Sequence, residues 1–592
     1  MTGAGIVRET DVVSAVAVPA TMTVHRLAGA VVERTAVIGV AALLLVAPFE
    51  ALQPLVRLPG QSVSSVEAAF LCVCLSAALA LLMSRTLPAL PWTELGPWVA
   101  LVAASAIAAA LAPDFRANAA HMTARLAMAT VVFALTIVAA RRTAARFRLM
   151  CAAVVSGAVV GVLVILDFAS VPVVEHGLSL FRAGIAVVGA QVRATGPFQY
   201  PTIASMYLEI TFALGLGLLA ASTIGAVRGL RPLLVVTLAV MAEASILTFT
   251  RAGLITMMLS LALVSWGYWR RRGADHVLAT MGVLALIVLA EFSCSRSAEM
   301  LMLRMTSEGQ GSWFSAVIDT PDTVALETTH PTRVPLTITN MGRATWDSYG
   351  AEPVLLSYHW IEFDSDAIVA WEGTRTAFAQ PVKPGETVRI DAALGGPGRA
   401  GHFRLMWDLE QVHRLWFSTE PGAVPLFVDG TVTGPTTGTS SARGSLRLPR
   451  TEVRPGRLVL WRAALHMWRD HPWLGVGADN YRLSYGRYAL LPRADPRVHS
   501  NNMYLEVLAG TGVIGAAALV WLGGRAVLAG WACMRGRGSA LGLGLAAALS
   551  ACAVHGMVDS FLSFTGTYIA MAVVCGLACA HAQDEWRHAH RL

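Results

Sequence analysis

The sequence predicts an all-α polytopic membrane protein of about twelve transmembrane helices, interrupted near residues 295–456 by an all-β sandwich. Three observations carry this prediction. Of the 592 residues, 55% are hydrophobic and only 14% charged, where a soluble domain holds about 25% charged residues. The apolar residues gather into runs near the roughly 20 that a helix needs to cross about 30 Å of hydrocarbon, where a helix pairs every backbone group within its own segment. Between the ninth and tenth runs lies a long polar stretch with strand-like alternation.

The runs lie at about 35–52, 65–84, 94–112, 122–140, 149–168, 203–222, 232–249, 252–269, 277–294, 503–523, 539–557 and 561–581. They divide the chain into an N-terminal transmembrane domain (1–294, about nine spans), an external insert (295–456, its β-sandwich at about 320–430), an external helix and loop (457–502) and a C-terminal transmembrane domain (503–592, about three spans). Arginines crowd alternate loops: Arg141, Arg142, Arg146 and Arg148; Arg228 and Arg231; Arg270 to Arg272; Arg535 and Arg537. Twelve spans put all of these on one side, which the positive-inside rule makes cytoplasmic together with both termini. Loops 169–202 and 295–502 then face outside. The first run follows a polar lead containing Arg8, Glu9, Asp11, Arg26 and Arg34, so it is expected to be retained, not cleaved as a signal peptide.

The net charge of +7 is explained by these topology determinants and does not point to nucleic acid. Lys383 is the only lysine, so arginine at any one site carries no special weight. Almost all eight cysteines lie in apolar runs, and the insert has none beyond Cys294 at its edge. No disulfide framework and no zinc spacing follow from them.

Within the insert, Pro335–Asn340, Val354–His359, Thr387–Ile390 and His402–Trp407 read as strands, separated by turn signals at 340–342, 383–385 and 395–398. Short strands with regular turns and interspersed tryptophans indicate a sandwich. Residues 431–445, rich in Gly, Thr and Ser, read as a flexible linker. A helix over 457–469 follows, ended by His471-Pro472.

Three places could carry chemistry. Arg251 stands between two apolar runs with almost no loop, as a phosphate-binding cation or a plain interfacial anchor. Arg457 opens the external helix, as a phosphate ligand or a lipid-headgroup contact. His499, Ser500, Asn501 and Asn502 precede a span. Helix starts suit anions, while Ser500 and Asn501 could equally be caps and His499 a solvated interfacial residue.

These segments resemble the O-antigen ligase and polymerase family. Arg193-Ala194-Thr195-Gly196-Pro197-Phe198, with Pro201, resembles its external segment before a span. Thr250-Arg251-Ala252-Gly253 resembles its Ser-Arg-Gly segment. Arg457, Trp461-Arg462-Ala463-Ala464-Leu465 and His471-Pro472-Trp473-Leu474-Gly475-Val476-Gly477 resemble its large loop. His499 to Gly515 resembles its final loop and helix start, and His555-Gly556-Met557-Val558-Asp559 a late motif of some members. One departure stands out. In the family a histidine precedes the Asn-x-Tyr-Leu run. Here that run is Asn502-Met503-Tyr504-Leu505, so Asn501 fills the histidine position and His499 lies two residues earlier. The family histidine is therefore displaced to His499 or absent. The insert, through Val334–Trp346, Leu356–Trp360, Trp371–Thr376 and Arg404–Trp416, resembles immunoglobulin-like sandwich modules of bacterial envelope glycan proteins.

The resemblance implies a metal-independent, inverting glycosyltransferase of the bacterial cytoplasmic membrane, active on its outer face and needing no cofactor. It would move a glycan from a polyprenyl-diphosphate carrier to an acceptor sugar hydroxyl on another lipid-linked glycan, a lipid core or a protein. Arg251 and Arg457 would hold the diphosphate and His499 would orient or deprotonate the acceptor, with Arg193, Asn501, Asn502, Arg462 and Asp559 contacting substrate. The implied partners are the lipid-linked donor, the glycan or lipid-linked acceptor, the bilayer and envelope polysaccharide assembly proteins. Two other classes stay open: a flippase of lipid-linked sugars, and a non-catalytic assembly protein. A flippase calls for charges lining a path through the spans, whereas internal charges here are few: Arg125, Asp167, Glu209 and Glu243.

Overall fold

A computed structural model describes residues 20–589, with breaks at 59–60, 86–90, 185, 189–190, 223–228, 295–301, 303–312, 351–352, 366, 413–414, 420–425, 436–454, 492–493 and 537–539. The polar lead before residue 20 and most of the expected linker lie outside the described residues.

Helices occupy all twelve expected places: α1 (Ala20–Val46), α2 (Ser65–Ser84), α3 (Trp92–Leu111), α4 (Arg116–Ala139), α5 (Thr143–Phe168), α7 (Pro201–Ala221), α8 (Arg231–Leu247), α9 (Arg251–Arg272), α10 (His276–Cys294), α13 (Met503–Arg535), α14 (Leu541–His555) and α15 (Thr565–Ala589). Between them stand short α6 (Pro172–Leu178), α11 (Arg457–Asp470) and α12 (Tyr481–Tyr488). Two small hairpins join β1 (Val56–Leu58) to β2 (Gln61–Val63) and β3 (Ala186–Val188) to β4 (Gln191–Arg193). Among the described residues ten helices are long and apolar enough to cross a membrane. The other two, α8 and α14, have 17 and 15 residues. Both stop short at polar turns, Thr248–Thr250 and Gly556–Phe564, which contribute to the site below. The protein is thus a polytopic α-helical membrane protein with a β-sheet insert.

The described arginines of these loops lie at one end of the bundle. Arg146 on α5 bonds Asp584 on α15 at 2.7 Å, and Arg271 on α9 donates to the Cys533 carbonyl on α13 at 2.6 Å. At the centre lies α7, with its whole apolar window buried. A Cβ on its Gly217 would sit 2.9 Å from Gly544 Cα, so α7 and α14 touch backbone to backbone. Small residues allow this close packing where lipid supplies no hydrophobic drive between helices.

The insert holds β5 (Ala316–Asp319), β6 (Thr323–Glu327), β7 (Thr332–Asn340), β8 (Val354–Glu362), β9 (Ile368–Ala370), β10 (Thr387–Leu394), β11 (Gly401–Gln411), β12 (Leu415–Trp416) and β13 (Phe427–Thr433). One sheet runs β10-β7-β5, and the other β6-β13-β11-β8-β9 with β12 paired to β11. All pairs are antiparallel except β13 with β6. The four expected strands are β7, β8, β10 and β11, each longer than its apolar core. Strand β7 buries Val334, Leu336 and Ile338 on alternate positions, the period-2 signature of a sheet with one core face. Strand β8 is buried almost throughout: Leu356, Tyr358 and Trp360 point to one face, and on the other His359 stacks on Trp371 with ring centroids 3.7 Å apart. The linker expectation needs one correction. Thr431, Val432 and Thr433 pair with β6 or β11 because the alternating valines of β13 are buried, so any linker begins after the strand.

This sheet core, built without cysteine, is expected to fold alone. Residues 313–435 expressed as a soluble fragment should give a β-type circular dichroism spectrum and a cooperative melt, and a coil spectrum would refute independent folding.

Candidate functional site

The site is built from the helix ends opposite the arginine-rich loops. Asp167, near the end of α5, accepts two hydrogen bonds of 2.6 Å from the Arg182 guanidinium, one of 2.9 Å from Thr195 N and one of 3.1 Å from Gly196 N. Both members of this pair are buried, and the extra donors satisfy a carboxylate that would otherwise be costly there. Gly196 is left-handed (φ +54°), and a Cβ would lie 2.9 Å from Val164 Cγ2, so only glycine fits comfortably. With Thr195 and Gly196 fixed, Ala194 N donates to the Leu247 carbonyl and Arg193 Nε to the Thr248 carbonyl at 3.0 Å. The next residues turn sharply, with Phe249 at φ +49°, and Arg251 opens α9. Arg193 and Arg251 therefore flank a single turn, beside the free N–H groups of a helix start.

The large-loop segment meets α13 in an unusual way. Helix α13 is broken at Gly512 (φ +61°, ψ −162°), and residues 472–477 fill the break. Val476 N and Gly477 N donate to the carbonyls of Ala509 and Gly510 at 2.9 Å, and Val513 N donates to the Pro472 carbonyl at 2.9 Å. The loop backbone thus replaces bonds the helix has lost, as non-helical backbone near a membrane requires. Close approach explains the glycines. A Cβ on Gly475 would lie 2.3 Å from Ala509 O, and one on Gly512 2.3 Å from Trp473 C. Helix α11 packs over this joint through Leu460, Ala463, Ala464 and Met467, against Val476, Tyr481, Tyr485 and Ala509, and the Tyr481 hydroxyl donates to the Leu460 carbonyl. Arg457 begins α11 half-buried; Arg462 faces outward, exposed.

The start of α13 separates residues that the sequence could not. Asn502 is the cap: its Oδ1 accepts from Tyr504 N and Leu505 N at 3.0 Å. Neither Ser500 nor Asn501 caps the helix: the Ser500 hydroxyl donates to the Asn502 carbonyl, and Asn501 is left-handed, whereas Asn502 is extended (φ −164°) as a cap should be. Asn502 Nδ2 also donates to the Met557 carbonyl, and Met503 N donates to the carbonyls of Gly556 and Asp559. The late motif is therefore joined to the α13 start. Asp559 itself is buried and accepts from Ser560 N. Asn501 is left-handed (φ +51°), and its half-buried amide has no hydrogen-bond partner among the described residues.

His499 is only 12% exposed; its Nδ1 lies 3.2 Å from Glu506 Oε1 and 3.9 Å from Asp479 Oδ1. Its ring meets Phe564 edge-on. Burial alone would push its pKa down. The hydrogen bond and charge of Glu506, joined by Asp479, outweigh that and raise it. Asp479 is held in turn by Arg482 and Asn118. Asp479, His499 and Glu506 offer ligand atoms within 4.8 Å of one another, each already engaged with protein: Glu506 Oε2, for example, accepts from Ser500 N.

A raised His499 has a testable consequence. Its ion pair is complete below about pH 6.5, the ordinary histidine value, and is lost as pH rises through the raised value. Amide exchange over Val498–Asn501 should therefore accelerate on the alkaline side, and Glu506→Gln should abolish that response. A flat profile in the parent protein would remove the ion pair.

Below this surface lies a buried triad. Glu209 on α7 bonds His555 Nδ1 at 2.8 Å and accepts a short hydrogen bond from the Thr256 hydroxyl on α9. Arg457 on α11 and Asp559 lie close enough to His555 for their charges to bear on it. Of the residues expected to act, His499, Asn502 and Asp559 are brought to the α13 start, Arg193 and Arg251 to one turn, and Arg457 within electrostatic reach of the late motif. Sequence reasoning missed the roles of Glu506, Asp479, Arg482 and the Glu209–His555 contact. The available signal was an acid inside an apolar run, which is costly enough to demand a partner.

Residues 424–520 match the family model described as O-Antigen ligase. This segment is similar to the O-antigen ligase family. The matched stretch contains Arg457, residues 471–477 that fill the helix break, and His499 to Gly515; Arg193, Arg251 and Asp559 lie outside it. No curated protein matches the chain. The similarity supports glycan transfer of the ligase or polymerase type in general.

Proposed function

We propose that the protein transfers a glycan from a polyprenyl-diphosphate carrier to an acceptor sugar hydroxyl on the outer face of the bacterial cytoplasmic membrane, with inversion and without a metal ion. The observation that carries this reading is the Thr248–Thr250 turn, which receives the Arg193 guanidinium on a carbonyl and delivers Arg251 at the start of α9. Two guanidinium groups and a helix start beside one turn make a site for a polyanion. Arg457 completes it from α11. These cations hold the two phosphates and stabilise the negative charge that grows as the anomeric C–O bond breaks. The acceptor oxygen attacks from the opposite face, which inverts the centre. Asn501 and Asn502 supply amides at the acceptor side, Arg462 and Asp559 lie at its edges, and His499 holds the loop that presents them. The β insert is read as an immunoglobulin-like module that selects the acceptor or an assembly partner.

The test uses the purified full chain in nanodiscs with a polyprenyl-diphosphate oligosaccharide and candidate acceptors. Release of polyprenyl diphosphate coupled to acceptor extension is expected without added divalent cation and in the presence of chelator. Flipping of the donor without extension would overturn the reading.

A further inference from the structure

The Glu209–His555–Thr256 contact has the geometry of a general base and its orienting carboxylate. His555 is the last residue of α14 and only 1% exposed; Glu209 is fully buried. Glu209 lies eight residues into α7, and Thr256 five residues into α9, counted from Pro201 and Arg251. At 1.5 Å per residue they stand roughly 12 and 8 Å below those helix starts. A buried acid and a histidine at that depth are costly, are tolerated here because they pair with each other, and by default mark a functional site. Nδ1 of His555 is committed to the carboxylate. Its Nε2 has no protein partner among the described residues, while Phe561 meets the ring edge-on at 5.8 Å. A carboxylate on Nδ1 fixes the tautomer that leaves Nε2 as a proton acceptor. The charged groups acting on the imidazole are Glu209 from α7, Asp559 from the following turn and Arg457 from α11; α9 contributes Thr256, which holds Glu209 in place.

We infer that His555 takes the proton from the acceptor hydroxyl, with Glu209 as its positioning residue. This rests on the glycan-transfer reading above. In the step, the acceptor O–H bond breaks and its proton passes to His555 Nε2. The acceptor oxygen bonds the anomeric carbon, and the bond from that carbon to the phosphate oxygen breaks, its electron pair leaving with the diphosphate. The proton then leaves His555 for the departing diphosphate or water. His499, tied to Glu506 and Asp479, keeps a structural part.

The experiment records pH–rate profiles from pH 5 to 9 for the full chain in nanodiscs, with polyprenyl-diphosphate oligosaccharide as donor. The parent is expected to lose activity on the acidic side. His555→Gln should lower kcat by about 10²–10⁴-fold, the usual worth of a general base, with donor KM little changed and the acidic limb gone. The near-isosteric Glu209→Gln should keep more activity and move the limb to lower pH, since an imidazole without its carboxylate holds a proton less tightly. His499→Gln should leave the limb in place. The inference is overturned if the limb survives in His555→Gln, if it stays unmoved in Glu209→Gln, or if His499→Gln is the variant that removes it. A parent that extends no acceptor at any pH overturns the transfer reading itself, and this inference with it.

Discussion

Replacing Arg251 or Arg457 by alanine is expected to cut glycan transfer by about 10²–10³-fold while the protein still inserts and accumulates normally. A guanidinium that faces a departing diphosphate contributes several kcal/mol to the transition state, and each 1.36 kcal/mol is tenfold in rate. The setting of each residue supports so large an effect. Arg251 opens α9 beside Arg193, and Arg457 acts electrostatically on His555. Lysine at either position should rescue only in part, because an ammonium cannot reproduce the planar fork that takes two phosphate oxygens at once. Arg469→Ala, exposed in the last turn of α11 and far along it from Arg457, serves as the control and should have a small effect. The measurement is initial rate at saturating donor and the donor KM for each variant. Near-normal transfer in both alanine variants would remove the diphosphate clamp.

The second large effect concerns backbone and not charge. Gly475→Val and Gly512→Val should each disable the protein, by loss of transfer of at least about 10²-fold and a clearly lower melting temperature in detergent. Both positions have positive φ, +64° and +61°, and Gly512 with ψ −162° lies in a region essentially reserved for glycine, at a cost to other residues of roughly 1–3 kcal/mol. Both also place a Cβ 2.3 Å from the backbone of the opposing strand of the joint, which cannot yield without losing the hydrogen bonds between residues 472–477 and 509–513. Gly524→Ala on the same helix meets nothing within 4 Å and should be neutral. Equal stability in all three would show that the helix break tolerates separation.

That joint also marks where the sequence was legible and where it was not. The spans were readable because hydrocarbon thickness fixes their length, and the strands of the insert because β7 alternates. Helix α13 read as one continuous run, since Gly510, Gly512 and Gly515 sit among apolar residues and hydropathy does not register φ. The resemblance singled out residues 471–477 without giving them a physical task; the task emerged only when Val476 and Gly477 were seen paired to Ala509 and Gly510. Around His499 the limits were similar. A histidine at a helix start is visible in sequence, but its partner Asp479 lies twenty residues earlier, and the cap proved to be Asn502 because its side chain accepts from the first helical N–H groups and that of Ser500 or Asn501 does not. Glu209 and His555 are 346 positions apart, and only the contact of α7 with α14 brings them together.

The helix break has a mechanical consequence. Val513–Arg535 alone measures about 34 Å at 1.5 Å per residue, enough to cross the hydrocarbon by itself. The first turns of α13, which carry Asn502 and Glu506, are thus a separate rod, and residues 472–477 splice it to the span by bonding Ala509 and Gly510 on one side of Gly512 and Val513 on the other. A bilayer that thickens or thins tilts the lower rod. Because the splice bonds both rods, that tilt is resisted by the loop that follows α11 and not by the helix axis alone.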